Sequence, residues 1–109
     1  MARAVGRGDV WMYAFAVPDK RRPVLVLTRA SVIPFLDTVT VAPITSTHRG
    51  LPSEVPVGPE EGLKVASVVN LDHVQTVPRS RLHQYVGRLS AQKMAAVCEA
   101  LAVALGCDG

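Results

Sequence analysis

The sequence predicts a small domain built mainly of β-strands, with one helix near its C-terminal end. Six or seven short apolar runs follow one another at close spacing and are separated by Gly and Pro residues, a pattern typical of a small barrel or sandwich. Only residues 90–105 show the three- and four-residue apolar spacing of a helix. A length of 109 residues without an internal repeat predicts one domain over residues 1–109.

The composition is that of a globular domain. Hydrophobic residues make up 49% of the chain and charged residues 19%, whereas disordered chains combine low hydrophobicity with high net charge. No apolar run approaches the roughly 20 residues that cross a bilayer. The basic N-terminal residues lack the apolar segment of a signal peptide. We therefore expect a cytoplasmic protein.

The apolar and β-branched runs predict the positions of the strands. Trp11, Tyr13 and Phe15 alternate with other residues, so one face of the first strand should join the core. The second run does not alternate, which predicts burial on both of its faces. The predicted strands are residues 8–16, 23–28, 38–45, 53–57, 65–71, 73–77 and 84–89.

The predicted helix has a recognisable start and end. Ser90 is a favourable N-cap residue, and Gly106 is suited to end the helix in the left-handed conformation. Between them, apolar residues recur at intervals of three and four and form one stripe: Met94, Val97, Leu101 and Leu105. This stripe is expected to pack on the sheet or on a partner chain.

A cluster of polar residues follows the third predicted strand. Pro43 is expected to break the hydrogen-bond ladder of that strand, since proline has no N–H to donate. Three hydroxyls, an imidazole and a guanidinium come next: Thr45, Ser46, Thr47, His48 and Arg49. Loops on a rigid scaffold commonly carry function, although an ordinary polar loop has the same composition.

Several kinds of chemistry are excluded because their sequence motifs are absent. The chain has no glycine-rich phosphate loop and no G-x-S-x-G nucleophile motif. Its three histidines have no metal-binding companions in the sequence, so we expect neither a metal nor a cofactor. Asp72 and His73 are neighbours in a predicted strand, where their side chains would point to opposite faces. That geometry argues against a His–Asp catalytic pair.

The positive charge is unevenly placed. The net charge is +3, and basic residues occur together at 20–22 and at 48–49. Such clusters are typical of a nucleic-acid footprint, and they are also common on solvated surfaces. Arginine, hydroxyl, imidazole and carboxylate groups remain available for chemistry. One reaction that such groups catalyse without a metal is RNA cleavage by the neighbouring 2′-hydroxyl, because arginine binds phosphate oxygens bidentately.

Six collinear segments resemble one known family. They are GDVW (8–11), RPVLVLT (22–28), VAPITS (41–46), LPSEVPV (51–57), SVVNLDHVQTVP (67–78) and RLHQYVGRLS (81–90). In this order and spacing they are similar to the MazF/PemK/Kid endoribonuclease toxins of bacterial toxin–antitoxin systems, and most similar to mycobacterial-type members.

The resemblance implies an SH3-like barrel of the MazF/Kid/CcdB toxin type that works as a homodimer. It implies metal-independent, sequence-specific cleavage of single-stranded RNA in a groove at the dimer interface, which leaves 2′,3′-cyclic phosphate and 5′-hydroxyl ends. It also implies inhibition of translation and growth, with neutralisation by a cognate MazE-like antitoxin.

The resemblance also implies site residues. The family's catalytic arginine in R-P-V falls on Arg22, and its catalytic hydroxyl in P-I-T-S falls on Thr45. Residues expected to bind RNA are Lys20, Arg21, Ser46, Thr47, His48, Arg49, Asn70, Asp72, His73 and Gln75. The chain departs from several members in a shorter loop at 17–21, in Asn70 where they have arginine, and in His73 where they have glutamine.

Alternatives remain at the level of residues and of function. Arg22 could be a solvated turn residue, and the Thr45 hydroxyl could satisfy its own backbone. Two other functions suit a barrel of this architecture. One is a non-enzymatic toxin that binds gyrase, as CcdB toxins do, and the other is a degenerate toxin that binds RNA without cutting it.

Overall fold

The structure is a computed structural model, and it describes residues 3–14 and 21–107. One β-sheet and one α-helix account for most of these residues. The strands are Asp9–Ala14 (β1), Arg21–Val26 (β2), Thr38–Thr45 (β3), Glu54–Val57 (β4), Ser67–Asn70 (β5), Gln75–Pro78 (β6) and Leu82–Arg88 (β7). The helix is Ala91–Leu105 (α1). The prediction of a mainly β fold with a terminal helix is confirmed.

All paired strands are antiparallel, and their order is β4-β5-β3-β2-β1-β7. Strand β3 is the centre of this arrangement because three other strands pair with it. One of its edges pairs with β2, from Val41 to Pro43. Its other edge pairs first with β6, from Thr38 to Val41, and then with β5 at Ile44 and Thr45. β3 therefore ends among strands and not in open solvent.

Pro43 interrupts the hydrogen-bond ladder on one edge of β3, as predicted, but it does not end the strand. The strand runs through it without interruption and has the predicted bounds, Thr38–Thr45. The ladder to β6 ends at Val41, and the ladder to β5 begins at Ile44. Pro43 thus lies where this edge of β3 changes partner, a position at which a missing N–H donor costs no ladder hydrogen bond.

Each face of the sheet carries its own hydrophobic core. One cluster holds Leu25, Ala42 and Ile44 and is completed by Val97 and Ala100 of α1. The other cluster holds the alternate residues of β1, β2 and β3, whose side chains point to the opposite face, together with side chains from β6, β7 and a 3₁₀ turn. Its members are Trp11, Tyr13, Val24, Val26, Ile33, Val39, Val41, Val77 and Leu82. This alternation confirms that β2 is buried on both faces, and it confirms the inward face of β1 at Trp11 and Tyr13. Phe15 lies outside the described residues.

Hydrogen bonds do not close the sheet into a barrel. Among the described strands, β4 and β7 form the two ends of the strand order, and no ladder joins them. The 3₁₀ turn Pro59–Glu61, which follows β4, packs instead against β7. A Cβ atom added at Gly87 would collide with the Glu61 carbonyl, and one added at Gly62 would collide with the Val86 carbonyl. The close approach needs glycine on both sides.

Two further predictions are corrected or refined. The strand predicted at 65–71 ends at Asn70, and Leu71–His73 forms a 3₁₀ turn. Asp72 and His73 therefore do not occupy a strand with alternating faces, since Asn70 caps the turn by accepting from the Asp72 N–H at 3.0 Å. This local hydrogen bond competes with ladder formation.

The helix begins and ends as predicted. The Ser90 hydroxyl accepts from the Lys93 N–H at 3.1 Å, and Gly106 adopts a φ of 73°. Of the predicted stripe, Val97 is buried, Met94 and Leu101 are partly buried, and Leu105 is 62% exposed. No helix among the described residues is long and apolar enough to cross a membrane.

Candidate active-site groove

A groove of about 700 Å³ opens at the ends of several strands. Strands β1, β2, β3, β5 and β7 contribute to it, together with the connection between β4 and β5. Its lining residues are Met12, Arg22, Pro23, Ile44, Thr45, Ser46, Thr47, Gly62, Leu63, Lys64, Val65, Ser67, Gln84, Tyr85 and Val86. Both residues predicted to be catalytic, Arg22 and Thr45, line this one groove.

The register of the sheet explains why these two residues meet. In the β2–β3 ladder Val26 pairs with Val41, Leu25 with Ala42, and Val24 with Pro43. The ladder ends there, and β3 pairs with β5 at Ile44 and Thr45, so Arg22 and Thr45 each lie two residues past the last β2–β3 pair, where both line the groove. Arg22 belongs to β2, where it pairs with Tyr13 of β1, so its backbone is held on a strand and is not part of a loose turn.

The Thr45 hydroxyl is held in place by the chain that follows it. Its Oγ1 accepts a hydrogen bond from the Thr47 N–H at 3.2 Å. A hydroxyl has one proton and two lone pairs, so this bond uses a lone pair and leaves the proton available to donate. The backbone contact considered as an alternative role is present, and it is compatible with binding a phosphate oxygen.

Arg22 is exposed, and none of the described residues forms a hydrogen bond or ion pair with its guanidinium. Its N–H donors are therefore not used by the protein, and two parallel ones can bind a ligand in the groove bidentately. A buried arginine without an acceptor would be costly, but an exposed one is solvated and keeps its charge. The arrangement provides a positive, bidentate donor beside a fixed hydroxyl.

The loop after Thr45 is organised by the carboxylate of Glu54. The Glu54 side chain is 4% exposed, and it accepts from the Arg49 N–H at 3.1 and 3.3 Å and from the Leu51 N–H at 3.2 Å. His48 Nδ1 lies 4.0 Å from the same carboxylate. Ser46 and Thr47 line the groove, whereas His48 and Arg49 are exposed beyond it.

The remaining predicted RNA-binding residues lie outside the lining of the groove. Arg21 is exposed at the start of β2, and Gln75 is exposed at the start of β6. Asn70 caps the turn that holds Asp72, and Asp72 accepts a hydrogen bond from the Ser53 hydroxyl. His73 is exposed at the end of that turn, and Lys20 lies outside the described residues.

Four polar residues of the groove were not singled out in the sequence. Lys64 and Ser67 lie at the connection into β5, and Gln84 and Tyr85 lie on β7. None of them belongs to a motif with its own chemistry, so no local signal indicated them. The Arg3 guanidinium lies 3.7 Å from the centre of the Tyr85 ring, which also packs edge-on against Trp11 at 5.8 Å.

A second cavity of about 730 Å³ lies near the start of α1. Its charged groups are largely paired with one another or with nearby residues. Lys93 Nζ lies 3.1 Å from Glu61, and Arg88 lies 4.0 Å from the buried Asp9. Within residues 3–14 and 21–107, no three His, Cys, Asp or Glu side chains are grouped closely enough to hold a metal ion.

Comparison with known proteins identifies the family. The family model described as PemK-like, MazF-like toxin of type II toxin–antitoxin systems matches residues 6–105. The chain belongs to this family. The PemK/MazF assignment agrees with the curated relative named endoribonuclease MazF3 from Mycobacterium tuberculosis, which is 50% identical over 90 residues, 83% of this chain and 87% of that protein.

Solved structures agree with the PemK/MazF fold. The structure of the Mycobacterium tuberculosis toxin MazF-mt6 gives a TM-score of 0.85 at 44% identity and covers 93% of this chain and 99% of that one. A mycobacterial endoribonuclease in complex with its cognate antitoxin gives 0.83 at 28% identity, covering 94% and 96%. The predicted family resemblance is confirmed.

Proposed function

We propose that this PemK/MazF-family chain is the endoribonuclease toxin of a type II toxin–antitoxin pair. It cleaves single-stranded RNA at a short sequence, without a metal or cofactor, and thereby inhibits translation and growth. Family membership and the endoribonuclease names of the relatives support the proposal. The observation that carries it is the placement of Arg22 and Thr45 in one groove.

The electrostatics of the groove suit a phosphodiester. Its described lining contains the cations Arg22 and Lys64 and no carboxylate, so the local potential is positive and attracts an anionic chain. The remaining polar groups are hydroxyls and an amide, which can bind phosphate and sugar oxygens. A neutral metabolite would have no use for this pair of cations.

The proposed reaction uses only groups of the RNA and the groove. The 2′-oxygen attacks the adjacent phosphorus, and the bond from phosphorus to the 5′-oxygen breaks. The 2′-hydroxyl loses its proton, and the departing 5′-oxygen gains one. The products are a 2′,3′-cyclic phosphate and a 5′-hydroxyl. Arg22 would stabilise the negative charge that grows on the non-bridging oxygens of the transition state.

Thr45 has a positioning and stabilising role in this proposal. Because its Oγ1 is fixed by the Thr47 N–H, the hydroxyl proton can donate to a phosphate oxygen without first losing rotational freedom. A donor that is already oriented gives more stabilisation in the transition state than a mobile one. Ser46 and Thr47 would bind the sugar–phosphate chain beside it.

The other predicted contacts remain proposals of different kinds. Three exposed residues suit contacts to RNA that extends beyond the groove. They are the two arginines Arg21 and Arg49 and the imidazole His48. We retain Lys20, Gln75 and His73 as RNA contacts, His73 either at a base or as a proton source. Asn70 and Asp72 support the local turn as well, and they would contact RNA through their remaining acceptors and donors.

We further propose two macromolecular partners. A second copy of this chain would form a homodimer, and a MazE-like antitoxin would neutralise the toxin with an acidic segment that occupies the positive groove. A relative solved in complex with its cognate antitoxin supports the second partner. Action on cellular mRNA places the proposed site of function in the cytoplasm.

Cleavage of a long RNA by the purified protein in the presence of EDTA tests this function. We expect a few discrete cuts with cyclic-phosphate ends, and we expect these cuts to be lost in Arg22→Ala and Thr45→Ala. Intact RNA, or cutting by both variants at the wild-type rate, would overturn the proposal. Inhibition of DNA gyrase without RNA cleavage would instead favour the gyrase-binding alternative, which the PemK/MazF match does not support.

A further inference from the structure

Lys64 is one of the two cations among the described residues that line the groove. It lies on the connection between β4 and β5, whereas the other cation, Arg22, lies on β2. The Lys64 side chain is exposed and forms no hydrogen bond or ion pair with a described residue. Its charge is therefore available to a ligand.

The backbone on the N-terminal side of Lys64 is anchored at several points. The buried Glu61 carboxylate accepts from the Gly58 N–H at 2.7 Å and lies 3.1 Å from Lys93 Nζ of α1. Gly62 has a φ of 89° and fits against Val86 of β7 without room for a side chain. This turn therefore holds one position relative to both α1 and β7.

The backbone on the C-terminal side is anchored as well. Ser67 begins β5 and pairs with Val57 of β4, and its hydroxyl donates to the Val65 carbonyl at 3.0 Å. Leu63, on the other side of Lys64, packs partly into the core that includes α1. Lys64 thus extends from a short segment whose backbone is fixed at both ends, so that binding orders its side chain and little of the backbone.

We infer that Lys64 is a second phosphate-binding residue of the groove, in addition to Arg22, and that it contacts a phosphate of single-stranded RNA. This inference rests on the proposed endoribonuclease function. Lysine suits such a contact as a point charge, whereas arginine binds two oxygens of one phosphate. Lys64 is a binding residue in this account, and it takes no part in the bond changes.

The test compares the salt dependence of RNA binding between variants of the full-length protein. The probe is a fluorescent oligonucleotide with the sequence that the wild-type protein cuts, made with a 2′-deoxy sugar at the cleaved position. For single strands, log affinity falls as log salt concentration rises, and each lost phosphate contact makes this slope less steep by about 0.7. We expect this loss in Lys64→Gln and a slope close to that of wild type in Lys64→Arg.

Arg29→Gln is the matched control, because Arg29 is exposed and lines neither cavity. A Lys64→Gln slope equal to that of wild type, or a loss of the same size in Arg29→Gln, would overturn the inference. In cleavage kinetics, Lys64→Gln should raise KM with little change in kcat, since a contact made equally in the ground and transition states affects only binding.

The two proposals fail in different ways. If wild-type protein cuts and binds RNA and Lys64→Gln behaves as wild type, only the Lys64 inference is wrong. If wild-type protein neither cuts nor binds single-stranded RNA, the proposed function and the inference are both wrong. Circular dichroism of Lys64→Gln should match wild type because the substituted side chain is exposed.

Discussion

Arg22 and Thr45 line one groove, and each lies two residues past the last pair of the β2–β3 ladder, Val24 with Pro43. The 22 residues between them in sequence include a 3₁₀ turn, Ile33–Phe35. Their presence in one groove thus depends on the pairing of β2 with β3 and not on nearness in sequence.

Substitution of Arg22 should remove most of the cleavage activity. We expect Arg22→Ala to lower the single-turnover rate by about 10²–10³, the usual loss when one group that stabilises transition-state charge is removed. Arg22→Lys should recover little, since an ammonium lacks the planar fork of donors. The measurement is single-turnover cleavage of a defined RNA. Arg29→Ala serves as the control, and an equal loss there would contradict the assignment.

Thr45 variants should separate the hydroxyl from the shape of the side chain. Thr45→Ser keeps the acceptor for the Thr47 N–H and the proton donor, so it should retain activity within about tenfold. Thr45→Val keeps the shape but loses both, and it should lower the rate by about 10² or more. Thr38→Val, at the other and exposed end of β3, is the control. Equal rates for Thr45→Val and Thr38→Val would refute the role of the hydroxyl.

Glu54→Gln should loosen the loop that follows Thr45 without unfolding the protein. Hydrogen bonds to charged groups contribute about 1.5–3 kcal/mol each, and the substitution replaces one accepting oxygen with a donor. Amide hydrogen exchange at Arg49 and Leu51 should therefore accelerate by at least about tenfold. Exchange in β2 should stay unchanged. The control is Glu99→Gln on the exposed surface of α1, and unaltered exchange at both amides in Glu54→Gln would contradict this account.

Gly87→Ala should destabilise the fold through steric overlap. Its Cβ would collide with the Glu61 carbonyl, which belongs to the turn packed on β7, and overpacking typically costs about 1–3 kcal/mol. Urea denaturation measures the change in the free energy of unfolding. Gly50→Ala is the contrast, since Gly50 has a φ of 71° but no atom within 4 Å of an added Cβ. We expect a smaller loss there than in Gly87→Ala, since it comes from the backbone conformation alone.

If Gly87→Ala leaves the free energy of unfolding unchanged, the turn after β4 can move away from β7. That outcome would also weaken the description of Lys64 as a residue on an anchored segment, because the same turn carries it. If Gly87→Ala lowers both the free energy of unfolding and the affinity for RNA, the packing of this turn on β7 also positions the groove, since Gly62 and Lys64 both line it.

Much of the fold was predictable because its signals are local. The bounds of β3 and the N-cap of α1 followed from alternation and from side-chain chemistry at Ser90. The ladder interruption at Pro43 followed from its missing N–H donor, but the sequence could not show that β3 takes a new partner strand beyond it. The turn at Leu71–His73 was missed because Asn70 competes for the backbone through a hydrogen bond that only the folded chain displays.

The sequence by itself determined the strands, the terminal helix and the family resemblance, since apolar periodicity, caps and collinear motifs are written along the chain. Its motifs also marked Arg22 and Thr45. Only the tertiary structure decided that these two residues share a groove with Lys64, and that a turn packed on β7 takes the place of barrel closure. Register and close backbone approach depend on residues distant in sequence, so no local pattern specifies them.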